Sequence, residues 1–403
     1  MALSSRQMRI PYGQAVHDDR EFKAVMQVIQ SHQTLLGPKV AAFEERVAKL
    51  FGKKYGIMVN SGSSANLLAM EILNLPEGSE VITPMVTFTT VIAPLVQKRL
   101  VPVFVDVELG MYLLNLDQLE RAITKKTRAL MVPSLLGNVP DMKRLRAIAR
   151  RHDLWLIEDS CDTLGAQFDG RPSGFYTDIS TTSFYGSHVI TAAGGGGMIC
   201  VNDAGWRRGL KVLRGWGRSS AVTESEDIAE RYANRISGVP YDAKFIFETI
   251  GYNFLPLEIS GAFGLVQLQK LAQFTKIRKR NFDRLRAFFG RYEEFFHLPR
   301  NTPGVTTNWM AFPLTIKPGA PFSRVEIVTF LEKRNIQTRP LFSGNIMRQP
   351  GFAGIRARMP LRSYPVADDI MAHSFMVGCH HGLTGAHLNY LMEAFADFLK
   401  QNS

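Results

Sequence analysis

Three strand-to-helix junctions in the chain end in residues that could bind an anion or a flat ring. In "VNSGSSANLLAMEIL", Gly62, Ser63 and Ser64 lie where a predicted strand gives way to a predicted helix. Free backbone N–H groups, two hydroxyls and the helix dipole make an anion site at such a turn. A capped turn without a ligand has the same pattern, so this segment alone leaves both interpretations open.

The second and third junctions supply carboxylates and an aromatic ring. Asp159 of "LIEDSCDTLGAQ" follows a predicted buried strand, with Asp162 three residues further on, and α/β folds place ligands at such strand ends. A carboxylate there could keep a pyridinium nitrogen protonated, which makes pyridoxal phosphate (PLP) an electron sink. Phe88 of "TPMVTFTTVIAP" could stack on a flat cofactor. Taken singly, such an Asp is as often a cap, and such a Phe is more often core.

The segment "SFYGSHVITAAGGGG" places Ser183 and His188 in a loop after another predicted strand. Ser183 could bond a phosphate, and the glycines at 194–197 allow close backbone approach and a sharp return into "MICV". A lone loop histidine is usually a surface or hydrogen-bonded residue. The other eight histidines, His380 and His381 included, are interpreted in that way.

The elements that must position these residues alternate between strands and helices. The strand candidates are "KYGIMV", "EVITPMV", "VPVFVDV", "RALMVPSLL", "LWLIED", "ISTTSFY" and "GMICVN". Helical patterns such as "PKVAAFEERVAKLFG" and "DMKRLRAIARRH", with Asp141 as a candidate cap, lie between them. This alternation predicts an α/β fold with a mostly parallel sheet.

The pattern changes after Asp203. Residues 219–242 are polar and predicted to be irregular, a long helix is predicted from about Leu257, and the strands "WMAFPLTI" and "NIQTRPLF" follow. We therefore predict a large cofactor-binding domain with an N-terminal arm over residues 1–255. A smaller α+β domain is predicted over residues 256–403.

Composition and charge limit the class of protein. The 403 residues are 45% hydrophobic and 21% charged, which is typical of a globular protein. A net charge of +12 fits either a nucleic-acid binder or an enzyme for an anionic diphosphate substrate. The densest basic run, "KIRKRNFDRLR" at 276–286, is interpreted as a solvated helix face rather than a binding surface.

The three cysteines, Cys161, Cys200 and Cys379, lie far apart and form no CxxC pair. This fits a reducing cytoplasm and argues against a disulfide framework or a four-cysteine metal site. No secretory signal and no stretch of about 20 apolar residues is seen. We expect a cytoplasmic protein with no bound metal and no membrane or nucleic-acid partner.

The order of the segments, from the phosphate turn through "SFYGSH" to "GYNFLP", resembles the DegT/DnrJ/EryC1/StrS sugar aminotransferases. The resemblance runs from "TLLGPKVAAFEERVAKLFG" to "TRPLFSGNIMRQPGF". It implies the aspartate-aminotransferase architecture (PLP fold type I), with PLP or pyridoxamine phosphate (PMP) as cofactor. It also implies a homodimer with shared active sites.

The same resemblance assigns roles to individual residues. The cofactor-binding set that it implies is Gly62, Ser63, Ser64 and Ser183 at the phosphate, Phe88 on the ring, Asp159 at the ring nitrogen, Asp162 near the ring hydroxyl, and Asn253 of "GYNFLP" reaching the phosphate of the neighbouring subunit. Relatives often have an aromatic residue at the position of Phe88 and Gln or Glu at that of Asp162.

His188 occupies the position of the family's cofactor lysine. The sequence around His188 resembles that of the nucleotide-sugar 3-dehydratases. One branch of these enzymes uses GDP-sugars, and another uses CDP-sugars together with an iron–sulfur cluster. No cysteine lies in 215–242, where the second branch keeps its ligands, so a cluster-free mechanism is favoured. The segment "GVPYDAKFIFETIGYN" nevertheless resembles the clustered branch, so the nucleotide stays open.

Histidine in this position changes the chemistry that is expected. A lysine would form a Schiff base with PLP, whereas an imidazole leaves the cofactor bound noncovalently and makes PMP the natural reagent. His188, with an unperturbed pKa of about 6.5, could act as a base and then as an acid. The resemblance implies a 3-dehydratase for an NDP-4-keto-6-deoxy sugar that uses glutamate as amino donor. Arg339 or another C-terminal cation is expected to meet a carboxylate or the diphosphate.

Two other functions remain open on the sequence. One is an aminotransferase whose lysine has been replaced by His188. The other is a non-catalytic regulatory protein on this fold that binds nucleic acid through its positive charge. The dehydratase-like sequence on both sides of His188 disfavours the first. The complete set of cofactor residues and the lack of an added DNA-binding domain disfavour the second.

Overall fold

A seven-stranded sheet organises the N-terminal half of the computed structural model, which describes residues 8–222 and 227–402. The strands of the described chain are β1 (Tyr55–Val59), β2 (Glu80–Pro84), β3 (Val101–Val105), β4 (Thr127–Pro133), β5 (Trp155–Asp159), β6 (Gln167–Phe168), β7 (Arg171–Pro172), β8 (Ile179–Ser183), β9 (Gly197–Val201), β10 (Arg235–Ile236), β11 (Val239–Pro240), β12 (Phe296–His297), β13 (Val305–Thr306), β14 (Ala311–Ile316), β15 (Thr338–Pro340) and β16 (Ser374–Gly378).

The strand order in the large sheet is β1-β9-β8-β5-β4-β2-β3. Only β9 runs antiparallel to its neighbours, and the other pairs of adjacent strands are parallel. The strands β2, β3, β8 and β9 are buried along their whole length, as expected for a sheet covered on both faces. All seven predicted strands and the mostly parallel sheet are confirmed.

Helices cover this sheet and build the rest of the chain. They are α1 (Asp19–Gln30), α2 (Pro38–Leu50), α3 (Gly62–Leu73), α4 (Thr89–Gln97), α5 (Leu116–Arg121), α6 (Met142–Arg151), α7 (Ala204–Arg214), α8 (Ile228–Arg231), α9 (Glu258–Phe289), α10 (Arg324–Lys333), α11 (Pro365–His373) and α12 (Gly385–Asn402). The predicted cap of α6 is confirmed, because the Asp141 side chain accepts a hydrogen bond from the Arg144 N–H.

The parallel strands bring the predicted site residues to one edge of the sheet. β5 ends at Asp159 and pairs with β8, which ends at Ser183. α3 begins at Gly62 shortly after β1, and Phe88 is the N-cap of α4 after β2. Because the carboxyl ends of parallel strands share one edge, these four segments meet there.

The 32-residue helix α9 starts with Leu257 as its N-cap, as predicted. Its first residue, Glu258, is buried and accepts hydrogen bonds from the backbone N–H groups of Gly37, Lys39 and Val40 at 2.9, 2.5 and 3.0 Å. These N–H groups lie at the start of α2, where a helix has no internal partners for them. The side chain of Glu258 therefore caps α2 and fixes the two helices together.

The basic run at 276–286 lies within α9. The prediction that it forms a solvated helix face fails at one residue. Most basic side chains of the run are exposed, as expected for a solvated face, but Arg278 is completely buried. Arg278 lies four residues after Phe274 and four before Phe282, so it shares their buried face of the helix. The interpretation as a solvated face is wrong for Arg278.

A four-stranded antiparallel sheet, in the order β12-β14-β16-β15, forms the centre of the C-terminal third. Both strands predicted there, at β14 and β15, are confirmed. The strand β13 pairs instead with β6, so a small sheet joins residues from the two predicted domains. One apolar cluster also runs from the large sheet into the C-terminal sheet.

Two segments, the N-terminal arm and residues 219–242, contribute no strand to the two main sheets as far as their residues are described. The N-terminal arm pairs Ile10 with Ile336, and the Pro11 carbonyl lies 3.0 Å from Nε2 of His380. Residues 219–242, predicted to be irregular, contain only a 3-10 turn at Ser219–Ala221 and the short elements α8, β10 and β11 in their described part. Residues 1–7 of the predicted arm and 223–226 of this segment lie outside the described residues.

Candidate active site

A cavity of about 710 Å³ opens at the carboxyl edge of the parallel strands. The predicted site residues that line it are Gly62, Ser63, Phe88, Asp159, Asp162, Ser183, His188 and Arg339. Two members of the predicted set, Ser64 and Asn253, do not line it. Segments that are far apart in the sequence thus meet around one space.

Asp159 is held at the cavity by hydrogen bonds to both carboxylate oxygens. Oδ2 accepts from Nδ2 of Asn66 at 2.8 Å, and Oδ1 accepts from the Cys161 N–H at 3.0 Å. Asn66 is itself fixed by Thr181, whose hydroxyl donates to Oδ1 of Asn66 at 2.6 Å. This chain of contacts leaves the carboxylate in one orientation at the end of β5.

The turn before α3 forms a tight cradle against β8 and β9. A Cβ atom on Gly62 would lie 2.6 Å from Cβ of Ser183, and one on Gly197 would lie 2.2 Å from the Ser61 carbonyl oxygen. Only glycine allows this close approach of backbone and side chain. The exposed Ser63 and the N-terminus of α3 lie at the cavity, which suits an anion there.

Ser64 and Asn253 do not line the cavity. The hydroxyl of Ser64 is buried and donates to Oδ1 of Asn60 at 2.7 Å, while its N–H donates to Oγ of Ser61. Asn253 is exposed and its backbone pairs with Gly215. Phosphate binding by these two residues stays a prediction.

His188 lies at the floor of the cavity with 15% of its side chain exposed. Its backbone carbonyl accepts a hydrogen bond from Nη2 of Arg278 at 3.3 Å. Burial, aided by the charge of Arg278, lowers the pKa of the His188 imidazole from 6.5 to about 4. The imidazole is therefore neutral near pH 7 and has a lone pair for a proton.

Asp162 lies beside His188. Oδ2 of Asp162 accepts from the Leu136 N–H at 2.9 Å, and Oδ1 lies 3.6 Å from Nδ1 of His188. Burial raises the pKa of the Asp162 carboxyl from 3.8 to about 7, and the charge of Asp159 acts in the same direction. This carboxyl therefore changes its protonation close to neutral pH.

Aromatic and cationic side chains surround the mouth of the cavity. The rings of Phe88 and Tyr185 are 52% and 63% exposed, and the Tyr185 ring centre lies 6.3 Å from that of His188. The guanidinium of Arg339 lies 5.8 Å from the ring centre of Tyr12, which the N-terminal arm brings to the cavity. A ligand that enters here meets two flat rings and one exposed cation.

Three residues of the site were not predicted. Asn66 is the buried partner of Asp159, Tyr12 comes from the arm, and Arg278 contacts the carbonyl of His188. The apolar spacing around Arg278, with Phe274 and Phe282 four residues away on either side, was a usable signal of its burial. No sequence pattern connects Asn66 or Tyr12 with this edge of the sheet.

Fold and cavity together define a PLP-dependent enzyme of the aspartate-aminotransferase type. The cavity suits PLP, because it combines a glycine cradle at a helix N-terminus, a fixed carboxylate at a strand end and an exposed ring. The family model of the DegT/DnrJ/EryC1/StrS aminotransferases matches residues 16–396. The chain belongs to this family.

Similar proteins include sugar 3-dehydratases. A dTDP-4-dehydro-2,6-dideoxy-D-glucose 3-dehydratase of Saccharopolyspora spinosa is 37% identical over 96% of this chain and 86% of its own. A GDP-4-keto-6-deoxy-D-mannose 3-dehydratase of Yersinia pseudotuberculosis is 32% identical over 85% of this chain and 86% of its own. A solved GDP-4-keto-6-deoxymannose-3-dehydratase with a trapped PLP-glutamate geminal diamine superposes with a TM-score of 0.85, at 29% identity, over 96% of this chain and 99% of its own.

Two further features concern metal ions and membranes. No group of three or more His, Cys, Asp or Glu side chains in residues 8–222 and 227–402 is arranged to hold a metal ion. Over the same residues, no helix has both the length and the apolar character needed to cross a membrane.

We predict that Gly62→Ala weakens PLP binding. The added Cβ would displace Ser183, and such overpacking costs about 1–3 kcal/mol. We therefore expect the Kd for PLP, measured by equilibrium dialysis, to rise by about 5- to 150-fold if this cost falls on the cofactor-bound state. The control is Gly290→Ala, where the new Cβ meets no atom within 4 Å and PLP binding should not change. An unchanged Kd in Gly62→Ala would show that the cofactor phosphate is bound elsewhere.

Proposed function

We propose that this sugar 3-dehydratase acts on a nucleotide-linked 4-keto-6-deoxyhexose, removes its C3 hydroxyl and regenerates PMP from glutamate. One observation carries the proposal. His188 lines a cavity that otherwise suits PLP, and no lysine lines that cavity in the described parts of the chain. A lysine is needed to tether PLP in ordinary aminotransfer, so the site favours a reaction in which the cofactor is bound noncovalently.

The chain's own residues provide binding and proton transfer. When bound in its aminated form, the cofactor supplies an amine for the sugar ketone and a ring that accepts an electron pair. Asp159 would hold the ring nitrogen, Ser63 and Ser183 the phosphate, and Phe88 one face of the ring. Neutral His188 takes a proton at the reacting carbon and, once protonated, gives it to the departing C3 hydroxyl, which leaves as water.

The balance of the whole reaction requires an amino donor. One 4-keto-6-deoxy sugar and one glutamate give one 4-keto-3,6-dideoxy sugar, one 2-oxoglutarate and one ammonia. The trapped glutamate adduct in the solved relative supports glutamate as the donor. The carboxylate of glutamate and the diphosphate of the sugar are both anions, and Arg339 is the exposed cation at the cavity that would bind one of them.

A homodimer with shared active sites is part of the proposal. Asn253 is exposed and lies in a segment with several large exposed apolar side chains, of which Phe247 and Ile250 are 59% and 94% exposed. Apolar surface of this extent is typical of a protein interface. In such a dimer, Asn253 would reach the cofactor phosphate of the partner subunit.

The function is tested with a panel of GDP-, CDP- and dTDP-linked 4-keto-6-deoxy sugars, each incubated with PLP and glutamate. We expect at least one sugar to lose its 3-hydroxyl, with release of equal amounts of 2-oxoglutarate and ammonia. The measurement is mass spectrometry of the sugar together with assays of both coproducts. An intact aminosugar as the product would instead identify an aminotransferase.

We predict that His188→Lys suppresses dehydration and tethers PLP. The new amine can form the covalent link that an imidazole cannot, so an absorbance band of lysine-linked PLP should appear. A matched control is His188→Asn, which removes the base without adding an amine and should suppress dehydration without this band. Dehydration at the wild-type rate in both variants would exclude His188 as the base.

A further inference from the structure

One ring nitrogen of His188 is left without a partner in the site. Nδ1 is buried and makes no hydrogen bond to any described residue. A buried polar nitrogen without a partner is destabilising. Oδ1 of Asp162, 3.6 Å away, is within ion-pair distance of it.

The side chain of Asp162 is held in a way that leaves this oxygen available. Oδ2 accepts from the Leu136 N–H at 2.9 Å, whereas Oδ1 has no hydrogen bond to a described residue. With 7% of the side chain exposed, the carboxyl has little freedom to turn away. Movement of less than about 1 Å would bring Oδ1 within hydrogen-bond distance of Nδ1. Hydrogen bonds of this kind are often long before ligands bind.

We propose that Asp162 is a positioning residue for His188: its Oδ1 accepts the Nδ1 proton and leaves the Nε2 lone pair for the reacting proton. The proposal rests on the proposed function, which makes His188 the base. It adds to the contact with the ring hydroxyl that the family resemblance implies for Asp162. An imidazole has one proton to place, so the partner of Nδ1 decides which nitrogen can act as a base.

Charges from several elements act on this pair. The groups that face it are Asp159 at the end of β5, Cys161 from the loop that follows, Tyr185 from the loop of His188, Arg278 from α9, Tyr12 from the arm, and His381 behind Arg278. Burial and the charge of Arg278 disfavour protonation of His188, whereas a hydrogen bond to the backbone of Cys161 favours it and makes that backbone a second acceptor near the ring. A negative charge on Asp162 also favours protonation, so the aspartate counteracts the arginine.

The two groups then titrate as one unit. The pKa of Asp162 is raised to about 7 and that of His188 is lowered to about 4. Between these values Asp162 holds the extra proton and donates it in a hydrogen bond to Nδ1, so the neutral imidazole carries its own proton on Nε2. As the pH rises through about 7 the extra proton is lost, and Nε2 becomes free to act as a base. A pair that changes state near neutral pH can both accept and return a proton.

The first variant to test is Asp162→Asn. The amide oxygen would stay on the Leu136 N–H, because only an oxygen can accept that bond, and the NH₂ group would face Nδ1 as a donor. This forces the proton of His188 onto Nε2. We expect kcat/KM for dehydration to fall by about 10²–10⁴-fold, the usual contribution of a general base. The rise of kcat/KM near pH 7 should also be lost.

The direct readout is the tautomer of His188, which does not depend on turnover. Nitrogen-15 NMR of histidine-labelled enzyme, recorded with and without PMP, distinguishes Nδ1–H from Nε2–H. His188→Gln identifies the signals among those of the nine histidines. We expect Nδ1–H in the wild type at pH 8, Nε2–H in Asp162→Asn, and a return to Nδ1–H in Asp162→Glu. The matched control is Asp283→Asn, an exposed aspartate paired with Lys279 on α9, which should change neither tautomer nor pH profile.

Two results would overturn the proposal. One is Nε2–H in the wild type with PMP bound at pH 8, which needs no variant. The other is an unchanged tautomer in Asp162→Asn despite a loss of activity, which would place the role of Asp162 at the cofactor. If the tautomer follows Asp162 but no sugar is dehydrated, the proposed function fails and the positioning role stands. If dehydration occurs but the tautomer of His188 does not change when Asp162 is substituted, only the positioning role fails.

Discussion

The buried guanidinium of Arg278 connects the two halves of this molecule at the active site. It lies in α9 and donates through Nη1 to the carbonyls of Trp309 and Met310, through Nε to His381, and through Nη2 to the carbonyl of His188. No carboxylate lies within ion-pair distance of it among the described residues. Burying this charge costs several kcal/mol, and four hydrogen bonds to fixed acceptors offset that cost. One of these hydrogen bonds connects α9 to the loop that carries His188.

The same arginine also contributes to the electrostatics at His188. Burial of the imidazole, together with the positive charge of Arg278, lowers the pKa of His188 and keeps the ring neutral near pH 7. A neutral histidine can remove a proton, whereas a protonated one cannot. Oδ1 of Asp162 lies 3.6 Å from Nδ1 of the same ring, and burial raises the pKa of that carboxyl to about 7. His188 thus lies between a buried guanidinium and a buried carboxyl.

The parts of the site that lie at strand ends could be predicted from the sequence, and the parts that reach it from elsewhere could not. Asp159 and Ser183 lie at or near the ends of predicted strands and Gly62 closely follows one, and parallel strands bring such ends together. Asn66 and Tyr12 depend on tertiary contacts that leave no local pattern. The basic composition of the run predicted that Arg278 is solvated. Its helical spacing from Phe274 and Phe282 instead matches the buried face of α9. The phosphate contacts of Ser64 and Asn253 involve a ligand and a partner subunit, so they stay predictions.

With a histidine in the position of the tethering lysine, PLP should bind noncovalently in a cofactor pocket that is otherwise kept. Borohydride reduction followed by intact mass spectrometry tests this noncovalent binding most directly, because reduction fixes any imine between PLP and a lysine. After reduction of the PLP-loaded enzyme we expect the unmodified chain mass and full recovery of the cofactor on denaturation. The His188→Lys variant, treated in parallel, should gain one cofactor per chain. One cofactor per chain bound covalently to the wild type would contradict the account, because it would mean that a lysine still holds PLP.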